Sequence, residues 1–405
     1  MAKCWSATVG DNRLVLAIDI GLSKIDAVIA DVGNGSEITV RGSGRSYTTG
    51  IEKGKITSQS ELVAAIDRAL KRAERDIGIR PANAIVSVPN FDFQFGYCTG
   101  LMIPKTLGKR LTEEDRLATV HKSKKSIVTQ DNLILHAIPV EYRVDNRVVE
   151  SPVGINGDSL EVTTHYIQAD SDNVHALLSV IQTLNLHVAG MVYSPIASAQ
   201  IFLSEQERIE GALLIDIGAE STSISFYKRN ILQSTGTIPI GGNTINRDLS
   251  QCLSISDPEA ERVKVKYGSL DIQNIEYRDK FELNALGQGW IEIKRQYMCK
   301  IIYSRVEELL KLIVKKVGIR PEFPYDIVCC GATTRCAGFE AIAATLTGHI
   351  VRVGPPRTDA AHHIHADYGT ALGLISFGLK TGAIVPHETP LNWLERLNRK
   401  LSRWF

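Results

Sequence analysis

The sequence predicts an α/β protein built from two related halves, and three features of the chain indicate this. Residues 14–24 and 213–222 read alike: each has an apolar strand, the tripeptide Asp-Ile-Gly and the start of a second strand. Residues 58–77 carry apolar side chains at helical spacing, so one face of a helix should pack on a sheet. A hydrophobic content of 44% and a charged content of 22% are ordinary for a folded globular chain.

The two similar starts are the strongest functional signal. A strand–turn–strand unit of this kind can point backbone N–H groups and a hydroxyl at a phosphate, and the Asp at the strand end can hold Mg²⁺ through water. Asp19 and Asp216 occupy that position in the two halves. A plain β-hairpin whose glycine supplies a positive φ explains each motif but not the repeat. The repeat predicts a nucleotide clamped between two related halves.

Composition and charge narrow the class of protein. The 405 residues suggest two to four domains at ~100–200 residues each. Forty-six basic and 45 acidic residues give a formal charge of +1, so no strong field would recruit nucleic acid. Seven scattered cysteines indicate a reducing cytoplasm, and we expect neither export nor a membrane span, because no signal peptide or run of ~18 apolar residues is visible.

The region after the first helix predicts a β-rich insert. It begins at residue 84 and contains a charged helix near 113–125. The basic run at 121–125 is interpreted as a solvated helix face rather than a nucleic-acid site, because no aromatic residue interleaves it. Further on, residues 289–317 predict one long helix.

Three features after the second hairpin are compatible with a ligand site. They are the turn Gly241, Gly242 and Asn243, the i,i+3 pair Glu261 and Lys264, and the small-residue turn Gly331 and Ala332. A glycine pair lets backbone approach a ligand closely, and a small-residue turn leaves room for a flat base. Each also has an ordinary interpretation, as a turn, a surface ion pair and close packing.

The C-terminus predicts an amphipathic helix at 390–405 after a linker at 379–389. Thr389 can cap this helix and Pro390 suits its first position. Its apolar arc of about 120° consists of Trp393, Leu394, Leu397, Leu401, Trp404 and Phe405. Its opposite face has a net charge of +3 from Glu395, Arg396, Arg399, Lys400 and Arg403. This composition is typical of a helix in the membrane interface, the alternative being a helix docked on the protein's own core or on a partner.

These residues resemble the actin/Hsp70/sugar-kinase ATPase superfamily and, within it, the FtsA family of bacterial cell-division proteins. The first hairpin is similar to the phosphate-one motif through Asp19, Gly21, Ser23 and Lys24, and the second to the phosphate-two motif through Asp216, Gly218 and Ser221. More specific stretches resemble family blocks in the expected order: 50–54, 136–142, 151–157, 195–199, 241–246, 260–268 and 367–373.

The resemblance implies an actin-like duplicated ATPase fold with an FtsA-type inserted subdomain and the C-terminal amphipathic helix. Subdomain 1A would take 1–83 and 166–203, and the inserted subdomain 1C would take 84–165. Subdomain 2A would take 204–255 and 326–378, and subdomain 2B would take 256–325. Glu261 and Lys264 would meet the adenosine, with Gly331 and Ala332 beside it.

The resemblance also implies a function. The chain would bind ATP with Mg²⁺, hydrolyse it weakly at most, and form filaments under the bacterial inner membrane at the division site. Residues 256–325 would receive the C-terminal tail of FtsZ, and later division proteins would be recruited. A pilus-assembly ATPase homologue and a small-molecule kinase of the superfamily remain alternatives, although no general-base Asp can be assigned for a kinase.

The phosphate-two loop departs from the family pattern. Ala219 and Glu220 stand where glycines are usual. At ~5 Å and an effective dielectric of ~20, a carboxylate would repel each unit of phosphate charge by roughly 3 kcal/mol, unless Glu220 turns outward or Mg²⁺ intervenes. The sequence therefore predicts weakened nucleotide binding. Ala332 is a milder change, since it adds only a methyl group where a second glycine is usual.

Overall fold

A computed structural model of the chain forms two compact units. The first takes residues up to Gln200 and from Asp367 onward, and the second takes Ile201–Ala366. The residues that the structure describes are 14–32, 38–52, 54–89, 92–104, 106, 108–127, 131–320, 324–355 and 366–383. The predicted amphipathic helix at 390–405, with all its membrane-facing residues, lies outside this part of the chain.

A five-stranded sheet forms the base of the first unit. Its strands are β1 (Leu14–Ile20), β2 (Lys24–Val32), β3 (Ile38–Tyr47), β6 (Asn83–Val88) and β13 (His187–Tyr193), in the order β13-β6-β1-β2-β3. β1 and β2 are the predicted first hairpin and pair antiparallel, whereas β6 runs parallel to β1. A small hairpin of β4 (Ile51–Glu52) and β5 (Lys55–Ile56) follows β3.

Helices cover this sheet. They are α1 (Gln59–Glu74), α3 (Ser171–Thr183) and α10 (Gly369–Thr381), with α4 (Ser194–Phe202) at the end of the unit. The helix predicted at 58–77 is confirmed: Ser58 caps α1, and the predicted apolar face Leu62, Ala65, Ile66, Ala69, Leu70 and Ala73 is buried. α10 continues to Thr381 and is followed by Gly382 in the left-handed conformation, so residues 379–381 of the predicted linker are helical.

The insert of the first unit is a second sheet with one helix. Its elements are β7 (Gln94–Met102), β8 (Lys109–Arg110), α2 (Glu113–Lys125), β9 (Asn132–Val144), β10 (Arg147–Val149), β11 (Asn156–Gly157) and β12 (Leu160–Asp170). The main strands follow the order β10-β9-β12-β7, and Thr112 caps the predicted helix α2. The prediction that the insert starts at 84 is wrong, because β6 pairs with β1 and β13 in the first sheet. β12 also runs past the predicted end at 165.

The second unit repeats the first architecture. Its sheet contains β14 (Ala212–Ile217), β15 (Thr222–Lys228), β16 (Ile231–Ile238), β19 (Asp326–Cys330) and β20 (Val351–Val353), in the order β16-β15-β14-β19-β20. An antiparallel hairpin again lies beside a parallel strand, as in β3-β2-β1-β6-β13. The helices are α5 (Glu205–Glu210), α6 (Gly242–Leu253), α7 (Asp257–Tyr267), α8 (Arg295–Val317) and α9 (Phe339–Thr347). The strand order confirms the duplication read from the sequence.

The helix predicted at 289–317 is only partly correct. Residues Gly289–Lys294 form strand β18, which pairs antiparallel with β17 (Lys280–Ala285), and α8 starts at Arg295. Ile291 and Ile293 pair with Leu283 and Phe281. The alternation of these isoleucines with charged residues is a period of two, which the helical interpretation overlooked. Within the described ranges, no helix has both the length and the apolar character needed to cross a membrane.

Candidate functional site

The turn of the first hairpin is fixed by a backbone contact at its glycine. Gly21 N donates to Lys24 O at 2.9 Å, and a Cβ added to Gly21 would lie 2.9 Å from the same oxygen. Thr48 supports the turn from β3's end, since its N–H donates to Ser23 O and its hydroxyl donates to Gly21 O. A side chain at position 21 would force the turn open.

The second hairpin has the same turn. Gly218 N donates to Ser221 O at 3.0 Å, and a Cβ on Gly218 would lie 3.0 Å from that oxygen. Neither Gly21 nor Gly218 has a φ in the left-handed region, so the interpretation that these glycines merely supply a positive φ is wrong. Both are required by the close approach of the chain to itself.

The Asp19 carboxylate at the end of β1 is held by a residue that sequence reasoning missed. Ser87 Oγ donates to Asp19 Oδ1 at 2.7 Å and accepts from Ile20 N at 2.8 Å. Ser87 lies on β6 and is fully buried. Its role could not be read from the sequence, because 68 residues separate the two partners.

Asp216, the matching carboxylate, lies beside Cys330. The two residues are register partners in the parallel pair β14–β19, so their side chains lie next to each other on one face of the sheet. Burial, reinforced by the negative charge of Asp216, holds the pKa of Cys330 well above its ordinary value. Cys330 therefore remains a protonated thiol that can donate to Asp216.

Lys24, predicted to meet phosphate, is engaged by a buried carboxylate. Its Nζ lies 3.1 Å from Asp26 Oδ2, and Arg45 holds the same carboxylate through Nε at 2.5 Å and Nη2 at 3.0 Å. Arg45 also donates to Asp367 O at 2.6 Å and lies over the ring of Tyr368. The hydrogen bond that Arg45 donates to Asp26 raises the pKa of Arg45. This network joins the first hairpin to the start of α10.

The glycine turn before α6 packs directly on the second hairpin. Gly242 N donates to Gly218 O at 2.9 Å, and Asn243 N donates to Ala219 O at 2.8 Å. A Cβ on Gly241 would lie 2.5 Å from Ala219 O. The glycines thus let the start of α6 approach the phosphate-two loop closely. The backbone N–H groups of Gly242 and Asn243, the first residues of α6, are used in hydrogen bonds to that loop.

Glu220 is turned toward α6. Its Oε1 accepts from Asn243 Nδ2 at 2.7 Å, and its Oε2 accepts from Arg247 Nη2 at 3.2 Å. Arg247 places a positive charge beside the unexpected carboxylate. Repulsion of a phosphate by Glu220 is therefore reduced by its neighbour, which the sequence prediction had left open.

The pair Glu261 and Lys264 on α7 is an ion pair that also reaches the start of α6. Lys264 Nζ lies 2.6 Å from Glu261 Oε2 and 3.4 Å from Gly242 O, and Asn246 Nδ2 donates to Glu261 at 2.7 Å. Lys264 is 15% exposed and Glu261 is 50% exposed, so the lysine is held against the start of α6 while the carboxylate remains open to solvent.

Gly331 lies beside the second hairpin. Its φ is +100°, and a Cβ there would collide with the carbonyl oxygen of Ile217. Ala332 begins a short 3₁₀ turn after it. The structure therefore brings Gly331 and Ala332 to the same end of the second sheet as Gly218 and Gly242.

Metal binding can be judged from the donor set. Across the described ranges, no three His, Cys, Asp or Glu side chains gather as a metal site. The strand carboxylates Asp19 and Asp216 are compatible with Mg²⁺ held largely through water and phosphate oxygens, which is how Mg²⁺ commonly binds beside nucleotides.

Two protein-family models match the chain. Residues 213–373 match the family model described as "Cell division protein FtsA", and residues 102–168 match the model described as "SHS2 domain inserted in FTSA". Together the two matches span more than half of the chain. "Cell division protein FtsA" of Escherichia coli (strain K12) is 26% identical over 98% of this chain and 99% of its own length. The protein of the same name from Bacillus subtilis (strain 168) is 28% identical over 93% and 86%.

Solved structures with a similar fold are more distant in sequence. "PilM-PilN type IV pilus biogenesis complex" has a TM-score of 0.63 at 16% identity, covering 90% of this chain and 98% of that chain. "Crystal structure of MreB5 of Spiroplasma citri bound to ADP" has a TM-score of 0.56 at 12% identity, covering 92% and 97%. These neighbours confirm the predicted actin-like fold, and the second family model confirms that it carries an inserted subdomain.

Proposed function

The chain belongs to the FtsA family of actin-like cell division proteins, and on that premise we propose that it is an ATP-binding adaptor that polymerises on the cytoplasmic face of the bacterial inner membrane. At the division site it tethers FtsZ filaments and recruits later division proteins. The observation that carries the proposal is the repeated Asp-Ile-Gly hairpin, with the same glycine-fixed turn and the same strand-end carboxylate in both units.

The two hairpins support binding of Mg²⁺ and ATP. In each turn the glycine lets the chain approach itself closely, and the next-to-last residue of the strand before it is Asp19 or Asp216. Bound Mg²⁺ would offset phosphate charge near these carboxylates. The MreB5 neighbour was solved with ADP, which agrees with this use of the fold. We expect slow hydrolysis at most, since Glu220, the carboxylate of the phosphate-two loop, is engaged by Asn243 and Arg247.

Membrane attachment rests on the predicted helix at 390–405. Its net charge of +3 would contribute about 3 kcal/mol at an anionic surface, beside insertion of the apolar face. Membrane binding through a single short anchor is therefore reversible. Many anchors on one filament bind far more strongly, because each later helix inserts at a high effective concentration. Polymerisation thus controls how long the protein stays on the membrane.

The face around the β17–β18 hairpin is the proposed site for the FtsZ tail. Trp290 and Tyr277 are 64% and 72% exposed. Arg262 lies over the Trp290 ring at 5.7 Å, and Lys294 lies over the Tyr277 ring at 3.9 Å. Exposed aromatic rings beside cations suit a peptide with apolar and acidic residues.

Co-sedimentation with anionic liposomes tests the proposal. The full chain and a chain ending at Glu388 are compared with and without Mg-ATP, and pellets are viewed by electron microscopy. We expect ATP-dependent filaments on vesicles for the full chain and loss of binding on truncation. Equal behaviour of both chains would reject the tether and favour a pilus-type adaptor or a soluble kinase of the same fold.

A further inference from the structure

The two sheets place two small buried residues at equivalent positions. In the first unit, β1 and β6 run parallel with Ile18 opposite Val86, so Asp19 lies beside Ser87 one residue further on. In the second unit, β14 and β19 run parallel with Asp216 opposite Cys330. Since the strand orders correspond, Ser87 and Cys330 are related by the internal duplication.

Both residues lie beside the carboxylate of their hairpin. Ser87 Oγ donates to Asp19 Oδ1 at 2.7 Å, and Cys330 is the register partner of Asp216 on the neighbouring parallel strand, so its thiol lies next to that carboxylate. Their exposed fractions are 0% and 2%, so water does not replace either donor. A buried hydroxyl or thiol beside a carboxylate restricts the rotamer of that carboxylate through a charge-assisted hydrogen bond.

The surroundings argue against simple packing. Ser87 is fully buried on β6, where an unbonded hydroxyl would carry a desolvation cost. Cys329, the neighbour of Cys330, is equally buried but belongs to the apolar core on the other face of the sheet. Position 330 is therefore distinguished from position 329 by its carboxylate partner and not by its burial.

We propose that Ser87 and Cys330 are a matched pair of positioning residues, each of which orients one hairpin carboxylate for Mg²⁺ and phosphate. This inference rests on the proposed nucleotide binding. A thiol is a weaker donor than a hydroxyl, so Asp216 is held less firmly than Asp19. The two halves thus differ in how rigidly they present the carboxylate, and a hydroxyl at position 330 strengthens the second half.

The test measures the Mg²⁺ concentration needed for half-maximal binding of a fluorescent ATP analogue to the full chain. We expect Ser87→Ala and Cys330→Ala to raise it about tenfold, the size of a lost hydrogen bond to a charged group. Cys330→Ser should match or improve on the unmodified chain. Cys329→Ala, the matched control, should lower the melting temperature without changing the Mg²⁺ requirement.

The outcomes separate this inference from the function beneath it. Failure of the unmodified chain to bind Mg-ATP would overturn the proposed nucleotide binding and the inference together. Binding by the unmodified chain, with no change in Cys330→Ala or an equal change in Cys329→Ala, would overturn the inference only. If an alanine variant does not fold, Cys330→Ser and Ser87→Cys provide the test. If Cys330 only fills space, Cys330→Ser should lose Mg²⁺-dependent binding of the ATP analogue. If Cys330 orients Asp216, Cys330→Ser should retain that binding.

Discussion

Lys24 Nζ lies 3.1 Å from Asp26 Oδ2, and this carboxylate is only 2% exposed. Asp26 is also held by two N–H groups of Arg45, so it has two cationic partners. Arg45 can keep the buried carboxylate paired when Lys24 turns away. The first hairpin thus carries a lysine that can be released to a phosphate without leaving Asp26 uncompensated.

Arg45→Gln should therefore weaken ATP binding by about tenfold, because Lys24 would remain the main partner of Asp26. The measurement is a titration with a fluorescent ATP analogue in Mg²⁺. Arg41→Gln is the matched control, since Arg41 lies on the same strand and pairs with Asp31 at 2.9 Å. Adding Asp26→Asn to Arg45→Gln should restore binding. An equal effect of the two arginine changes would refute the release of Lys24.

Arg247→Ala should weaken ATP binding severalfold, because it leaves the Glu220 carboxylate without its cation near the phosphate-two loop. The effect is limited by solvent, since Arg247 is 55% exposed and Glu220 is 37% exposed. Glu220→Gln in the same chain should recover the loss, and this double-mutant cycle isolates the pair. Arg262→Ala, which removes an arginine paired with Glu259 on the next helix, serves as control. Lack of recovery would mean that Glu220 does not act on the phosphates.

The sequence predicted the local features well. The buried face of α1 follows from the spacing of its apolar residues, and α2 lies where a charged helix was predicted; the structure adds that Ser58 and Thr112 cap these helices. Long-range partners were not predictable: Arg45 meets Asp367 across 322 residues, and Ser87 meets Asp19 across 68. The error at 289–294 had a different cause, because Ile291 and Ile293 fit a strand period that a following helical pattern concealed.

The free energy of unfolding should decrease at acid pH because of the buried side chain of His136. This side chain is buried on β9, its Nε2 accepts from Tyr193 N at 3.0 Å, and burial, followed by repulsion from His165, lowers its pKa to about 3. An unfolded histidine binds a proton below pH ~6.5, whereas the folded one binds it only near pH 3. The free energy of unfolding therefore decreases as the pH falls from ~6.5 toward 3. The slope from this group is about 1.4 kcal/mol per pH unit.

Urea unfolding at several pH values checks this prediction. His136→Gln keeps an acceptor for Tyr193 and should reduce the slope between pH 6 and 4 by about one proton. His121→Gln replaces an exposed histidine of α2 and should leave the slope unchanged. Identical slopes for the His136 variant and the unmodified chain would mean that His136 titrates normally in the fold.

Trp404→Glu should release the protein from anionic vesicles. Trp404 lies in the predicted apolar arc near the end of the chain, where a carboxylate would both remove buried ring area and reduce the net charge of the helix from +3 to +2. Many anchors on one filament bind the membrane together, so weakening each of them has a combined effect. The loss of vesicle binding should therefore be larger with Mg-ATP present than for isolated protomers. Trp290→Glu, at a 64% exposed position of the β17–β18 hairpin, makes the same chemical change away from the helix and should bind vesicles normally. Equal vesicle binding by the Trp404 variant and the unmodified chain would mean that the helix docks on the protein or a partner instead.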